Sequence, residues 1–169
     1  MAGTESRATV PTPAEVVWET LAGFSDLSHW ATGIQHSSML TGGPPGVGAT
    51  RRVQVGRATL RETVEVWEPG RRLRYRIEGL PAVVTGASNT WVLVPRDGGG
   101  TEIVLTGEVT TKVGPAARVV ARLLGRANEG LVTDLAARVT ALDPGQGDGA
   151  EDSTGAAGAE DGTGPGRQS

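Results

Sequence analysis

Arg51 and Glu62 are the residue types best suited to chemistry in this chain, and a two-residue turn brings them together. Gly56-Arg57 fits a type II′ hairpin, which takes glycine first, so Val55 falls opposite Ala58. Counting back sets Val53 opposite Leu60, Arg51 opposite Glu62, Ala49 opposite Val64 and Val47 opposite Val66, all on one side. The turn Glu68–Arg71 pairs Trp67 with Arg72 and continues that side through Val66–Leu73, Val64–Tyr75 and Glu62–Ile77. The other side then carries ion pairs Glu65–Arg74 and Arg61–Glu78, with Trp67 against Arg72 as a cation–π contact. Such a face belongs in solvent. A slip of one residue would reverse every assignment.

An Arg–Glu pair among Val, Leu, Ile and Tyr75 is costly to desolvate before attraction offsets the loss. Two readings follow. In one, the pair lies in a concave, partly wet cavity and, with Tyr75, orients the polar groups of a ligand. In the other it is a structural pair at the sheet margin, or a bulge turns both residues outward. For the cavity, the expected apolar lining is Val53, Leu60, Val64, Tyr75 and Trp91, closed by Leu124, Ala127 and Leu131 of a C-terminal helix. Asn89, Trp91 and Leu93 alternate on one strand, but Val92, Val94 and Val104 make the opposite face β-branched too. Trp91 is expected inward, with Asn89 beside it. If the Thr41–Gly46 loop is symmetric, His36 faces Arg51 on the inward side with Ile34, Ser38 and Leu40. A lone histidine there serves equally as packing or surface. Trp18 and Trp30 read as helix-packing anchors, and Trp30 ends a short helix where a pocket mouth could lie.

The elements that must position these residues follow from the periodicity. Thr12-Pro13 gives an N-cap and a first-turn proline, so a helix is expected from about Pro13 to Phe24, with Val17, Leu21 and Phe24 on one face. It follows a short β-prone segment, Ser6–Pro11. A second short helix holds Asp26 to Trp30, capped by Ser25 or Asp26. From Ile34 the period becomes two, and recurring Gly/Pro turns divide the chain into strands near 34–41, 47–55, 58–67, 72–79, 87–95 and 101–111. After Gly114-Pro115 a helix is expected over Ala116 to about Leu142, spanning about 40 Å. Val120, Leu124, Ala127, Leu131, Leu135 and Leu142 share one face, while Val119 and Val132 fall on an outer face open to dimerisation. Gly125 and Gly130 weaken the helix, and could permit a bend or a close approach to the sheet.

Charge divides the 169 residues into two parts. Residues 1–142 hold 15 Lys/Arg against 13 Asp/Glu, whereas residues 143–169 hold one Arg against six acids and eight of the 26 glycines. The latter segment has no Val, Ile, Leu, Met or aromatic residue, so it is expected to be a disordered tail on a folding unit of residues 1–142. The absence of cysteine removes disulfides, thiol nucleophiles and Cys-ligated metals. With His29 and His36 the only imidazoles, a three-His zinc site is excluded. HExxH and GxSxG are missing, and Gly46-Val47-Gly48 fails as a dinucleotide fingerprint because Arg51 replaces the third glycine and a strand follows. No cofactor is expected. No run is long and apolar enough for a membrane span, and no leader pattern opens the chain, so a cytoplasmic location is expected. Arg71, Arg72, Arg74 and Arg76 are matched by nearby acids and show no aromatic interleaving, which argues against nucleic acid.

The segment "VPTPAEVVWETLAGFSDLSHWATGIQHSSML" resembles the opening of the SRPBCC superfamily, which includes START and birch-pollen-allergen-like proteins. Within it, the chain resembles the polyketide cyclase/dehydrase and lipid-transport family. "GVGATRRV", "LRETVEVWEPGRRLRYRIEG", "NTWVLVP" and "GGGTEIVLTGEV" follow in that family's order, so the likeness covers about residues 6–142. It implies an α+β helix-grip fold: a curved seven-stranded antiparallel sheet around a long C-terminal helix, with two short helices after the first strand. It also implies an apolar cavity between sheet and helix. Two functions fit. One is a module that binds a small hydrophobic or aromatic molecule: a lipid, a quinone or a polyketide-like compound. The other is a polyketide cyclase or dehydratase, in which Glu62 would be the base and Arg51, Tyr75 or His36 the donor to the enolate. An arginine partner makes a carboxylate a weaker base, which counts against the second.

Overall fold

The period-two and period-3.6 patterns resolve, in a computed structural model that describes residues 1–142, into ten elements. In chain order they are β1 (Ala2–Val10), α1 (Ala14–Ala22), a 3₁₀ helix (Phe24–His29), β2 (His36–Met39), β3 (Thr50–Val55), β4 (Ala58–Glu68), β5 (Arg72–Glu78), β6 (Val84–Pro95), β7 (Thr101–Thr111) and α2 (Gly114–Leu142). The disorder expected for residues 143–169 falls outside the described residues. One antiparallel sheet forms in the order β1-β7-β6-β5-β4-β3-β2, and α2 packs on β1 and β7. This is the helix-grip arrangement. Its core joins Val17, Leu21 and Phe24 to Tyr75, Trp91, Ile103 and Leu105 of the sheet and Leu135 and Val139 of α2. No helix among the described residues is long and apolar enough to cross a membrane.

The hairpin that places Arg51 and Glu62 has the expected register: Val55 pairs with Ala58, Val53 with Leu60 and Arg51 with Glu62. Gly56 adopts φ +59°, the left-handed backbone this turn requires. The next hairpin keeps Glu62 opposite Ile77 and Val64 opposite Tyr75, but then shifts by one residue between Val64 and Val66. That β-bulge turns Trp67 inward opposite Leu73, and not toward Arg72 as expected. Trp67 meets Trp18 edge-on, with ring centroids 5.1 Å apart, so burial of two indoles outweighs an exposed cation–π contact. Arg72 pairs with Glu68 at 2.8 Å, Arg74 keeps Glu65 at 3.1 Å, and Glu78 reaches Arg76 at 3.8 Å rather than Arg61.

Other expectations need correcting. His36 pairs with Gln54 and is exposed, while Met39 sits opposite Arg51. The β2–β3 connection is longer and less symmetric than assumed, and an odd shift of three residues moves His36 to the outer face. Val47 precedes β3 and is exposed, so it does not face Val66. Thr12 does not cap α1: it is fully buried and its hydroxyl donates to the Val139 carbonyl at 3.5 Å. On α2, Val132 is buried and Leu142 exposed, the reverse of their expected faces. Gly125 does lie against β1, where a Cβ would meet Thr4 Cγ2 at 3.1 Å, but nothing approaches Gly130.

Candidate functional site

The inward faces of β3 to β6 and the middle of α2 do not close completely. A cavity of about 290 Å³ remains between Val53, Val55 and Leu60 of the hairpin, residues 32–34, and Leu124, Ala127 and Leu131. Leu27, Ile77, Glu62, Asn89 and Asn128 complete its wall. Larger grooves of about 540 Å³ (along Val16, Glu19 and Arg138) and about 790 Å³ (along Met1, Pro115 and Val119) lie elsewhere and include none of these residues.

Glu62 is the one charged residue in the cavity wall, and Arg51 stands behind it. The Arg51 Nε–H donates to Glu62 Oε2 at 2.6 Å, and Nη2 reaches the same oxygen at 2.6 Å. Nη1 donates to the Phe24 carbonyl at 2.7 Å, which ties the 3₁₀ helix to the sheet. The guanidinium lies 4.0 Å from the Phe24 ring centroid and 5.2 Å from that of Tyr75. Burial of both charges is thus offset by a shared hydrogen-bonded oxygen and two aromatic faces. Glu62 Oε1 makes no hydrogen bond among the described residues, although Glu62 lines the cavity. Oε1 is thus the pair's open acceptor, on the residue of the two that lines the cavity.

A second polar group comes from pairing across the sheet. Strand register aligns Val64, Tyr75, Asn89, Gly107 and Thr4 in one row from β4 to β1. Gly107 leaves room above the sheet that Asn128 of α2 occupies; a Cβ there would sit 2.6 Å from Asn128 Nδ2. The amides of Asn89 and Asn128 donate to each other's carbonyl oxygens, both at 3.2 Å, and Asn89 Nδ2 also donates to the Tyr75 hydroxyl at 3.4 Å. Burial pushes the Tyr75 hydroxyl up to about 12, with the Glu62 charge adding to the rise and Arg51, Asn89 and Trp91 opposing it. At neutral pH Tyr75 is a neutral phenol.

The structure brings together Val53, Leu60, Glu62, Asn89, Leu124, Ala127 and Leu131 of the sequence-derived candidates at one cavity. Arg51 and Tyr75 form its inner support. Val64 and Trp91 are buried in the core, away from the cavity wall. Trp30 packs under the 3₁₀ helix and borders the groove along Val16, while His36 is on the outer face. Sequence reasoning missed Leu27, Thr32, Gly33 and, above all, Asn128. A signal for Asn128 was present: it is the polar residue one turn from both Leu124 and Leu131 on an otherwise apolar helix face. Among the described residues, no group of three or more Asp, Glu or His side chains is arranged to hold a metal ion.

Residues 1–140 match the family described as polyketide cyclase/dehydrase and lipid transport. No curated protein sequence matches the chain. Among solved structures, the Zhui aromatase/cyclase from Streptomyces sp. R1128 superposes with a TM-score of 0.73 at 20% identity, covering 86% of this chain and 98% of that one. Ara h 8.0201 gives 0.69 at 18% identity, with coverage of 83% and 98%. A START superfamily protein from Mycobacterium smegmatis gives 0.68 at 19% identity, with the same coverage of 83% and 98%. At such identities the likeness is one of fold, and chemistry must be argued from the cavity.

Proposed function

The chain belongs to the polyketide cyclase/dehydrase and lipid transport family, within the START/SRPBCC superfamily, and we propose that it binds a small hydrophobic molecule in the sheet–helix cavity. The observation that carries this reading is the wall itself. Leu27, Ile34, Val53, Leu60, Ile77, Leu124 and Leu131 surround a single carboxylate and two amides, with the Thr32 hydroxyl at the exposed edge. Apolar walls with a few fixed polar groups supply affinity by burial and orientation by hydrogen bonding. A volume of about 290 Å³ sits at the small end for ligand sites and favours a compact molecule over a long acyl chain.

Catalysis is the second reading. The open Glu62 Oε1 favours it, because a carboxylate facing a cavity can accept a proton. The donors foreseen for an enolate count against it: Arg51, Tyr75 and His36 are not in the cavity wall. That leaves Asn89, whose N–H groups go to Asn128 and Tyr75, and Asn128, a neutral amide with one N–H to spare. Native mass spectrometry of the full chain purified from its source tests the binding reading. A co-purifying small molecule, lost in Ala127→Trp at the exposed rim, supports it. A cavity that stays empty when offered lipids, quinones and aromatic polyketides overturns it. For the second reading, a poly-β-ketone mimic whose products are the same with wild type, Glu62→Gln and buffer eliminates catalysis.

A further inference from the structure

Resting on the binding reading above, we infer that the cavity selects a neutral, ring-sized ligand carrying one hydroxyl or N–H group, which donates to Glu62 Oε1. Hydrogen-bonding capacity in the cavity wall is partly spent and partly open. Glu62 Oε2 takes the Arg51 Nε–H bond and the close Nη2 contact, at 2.6 Å each, and Oε1 accepts no hydrogen bond among the described residues. The two asparagines bond one another through one N–H each, and Asn89 gives its second to Tyr75; the second Asn128 N–H has no partner among the described residues, so the neutral donor in the wall is an amide and not a cation. The one charged acceptor in the wall, Glu62 Oε1, therefore waits for a donor, and a buried carboxylate oxygen gains more from a donor than a neutral acceptor does.

Charge sets the second limit. Arg51 and Glu62 are 4% and 6% exposed, and together they are electrically neutral. Arg51 stands behind Glu62 with its donors turned to Oε2 and the Phe24 carbonyl, so no cation meets a ligand's head group. A carboxylate ligand would face Glu62 across an apolar chamber with no counter-ion. An ammonium ligand would leave the chamber with one uncompensated positive charge, because Arg51 already balances Glu62. Both carry a desolvation penalty that a neutral donor avoids. Apart from the exposed Thr32 and Gly33, the rest of the wall is aliphatic, which provides burial without directional demand.

Calorimetric titration of the full-length protein with one ring system bearing different groups tests this. The probes are 2-naphthol, 2-methoxynaphthalene, naphthalene, 2-naphthoate and 2-naphthylmethylammonium. The expected order puts 2-naphthol about 10- to 100-fold tighter than 2-methoxynaphthalene and naphthalene, the range for a hydrogen bond to a charged acceptor. The two charged probes should bind more weakly than either. In Glu62→Gln the naphthol advantage should shrink to less than about threefold, while naphthalene affinity is retained. Should that variant not fold, the wild-type series decides by itself. Naphthalene binding with no preference for 2-naphthol over its methyl ether overturns the inference and leaves the binding reading intact. Tightest binding by either charged probe also overturns it. Failure of every probe removes the binding reading together with the inference.

Discussion

Replacing the two members of the Arg51–Glu62 pair singly and together is expected to give unequal and strongly non-additive losses of stability. The inequality follows from where each group faces. In Arg51→Met, Glu62 loses its partner but still borders the cavity, where water can reach Oε1, so the orphaned charge costs about 3 kcal/mol, the low end for a broken buried pair. Loss of the Arg51 bond to the Phe24 carbonyl adds about 1 kcal/mol. In Glu62→Leu, by contrast, the guanidinium is left 4% exposed between the Phe24 and Tyr75 rings, away from the cavity, and the cost should approach 5 kcal/mol. The double variant leaves no orphaned charge. It should lose only about 2 kcal/mol, from the bond to Phe24 and imperfect packing. Urea denaturation followed by far-UV circular dichroism reads all four proteins, with unchanged m-values as the condition for comparing them. Single variants that each cost less than about 1 kcal/mol would show that solvent already screens the pair. A double variant as unstable as the two singles combined would refute the coupling, and Arg51→Met costing more than Glu62→Leu would refute the assigned facing.

Gly107→Ala should destabilise the fold by about 1–3 kcal/mol, because its Cβ would lie 2.6 Å from Asn128 Nδ2, 2.9 Å from Thr4 Oγ1 and 3.0 Å from Leu124 Cδ2. Thermal melting of that variant, of Asn128→Ala and of the pair checks it: the combined loss should fall short of additive, and a wild-type melt for Gly107→Ala would sink the argument. Tyr75 is the protein's one tyrosine, so tyrosinate absorbance reports it alone; ionisation in the folded state should centre near about 12 rather than 10.0. Because the unfolded chain releases that proton first, stability should fall as pH rises from about 10 to about 12, by roughly 3 kcal/mol in all. A folded-state titration near 10.0 would mean the phenol is in water.

Local rules reached far where each depended on neighbours in the chain. Gly56-Arg57 set the β3–β4 register, and with it the meeting of Arg51 and Glu62, because a two-residue turn admits one pairing. The helical spacing of Leu124, Ala127 and Leu131 put all three on the cavity in the same way. A longer loop does not fix the pairing of the strands it joins. The connection from β2 to β3 allows several registers, and His36 ended on the outer face. The bulge after Val64 was likewise invisible, since it is stabilised by Trp67 meeting Trp18, a contact between residues far apart in sequence.

The sequence by itself determined the order of elements, the pairing of Arg51 with Glu62 and the apolar face of α2, because turn chemistry and side-chain periodicity act within a few residues. Only the tertiary structure decided which atoms meet an incoming ligand. Whether Glu62 shows one oxygen or two depends on how Arg51 is held by the Phe24 carbonyl, 27 residues away in the chain. Whether Asn128 reaches the sheet depends on an empty place above Gly107. Both are properties of packing between elements, where distance in space is unrelated to distance along the chain.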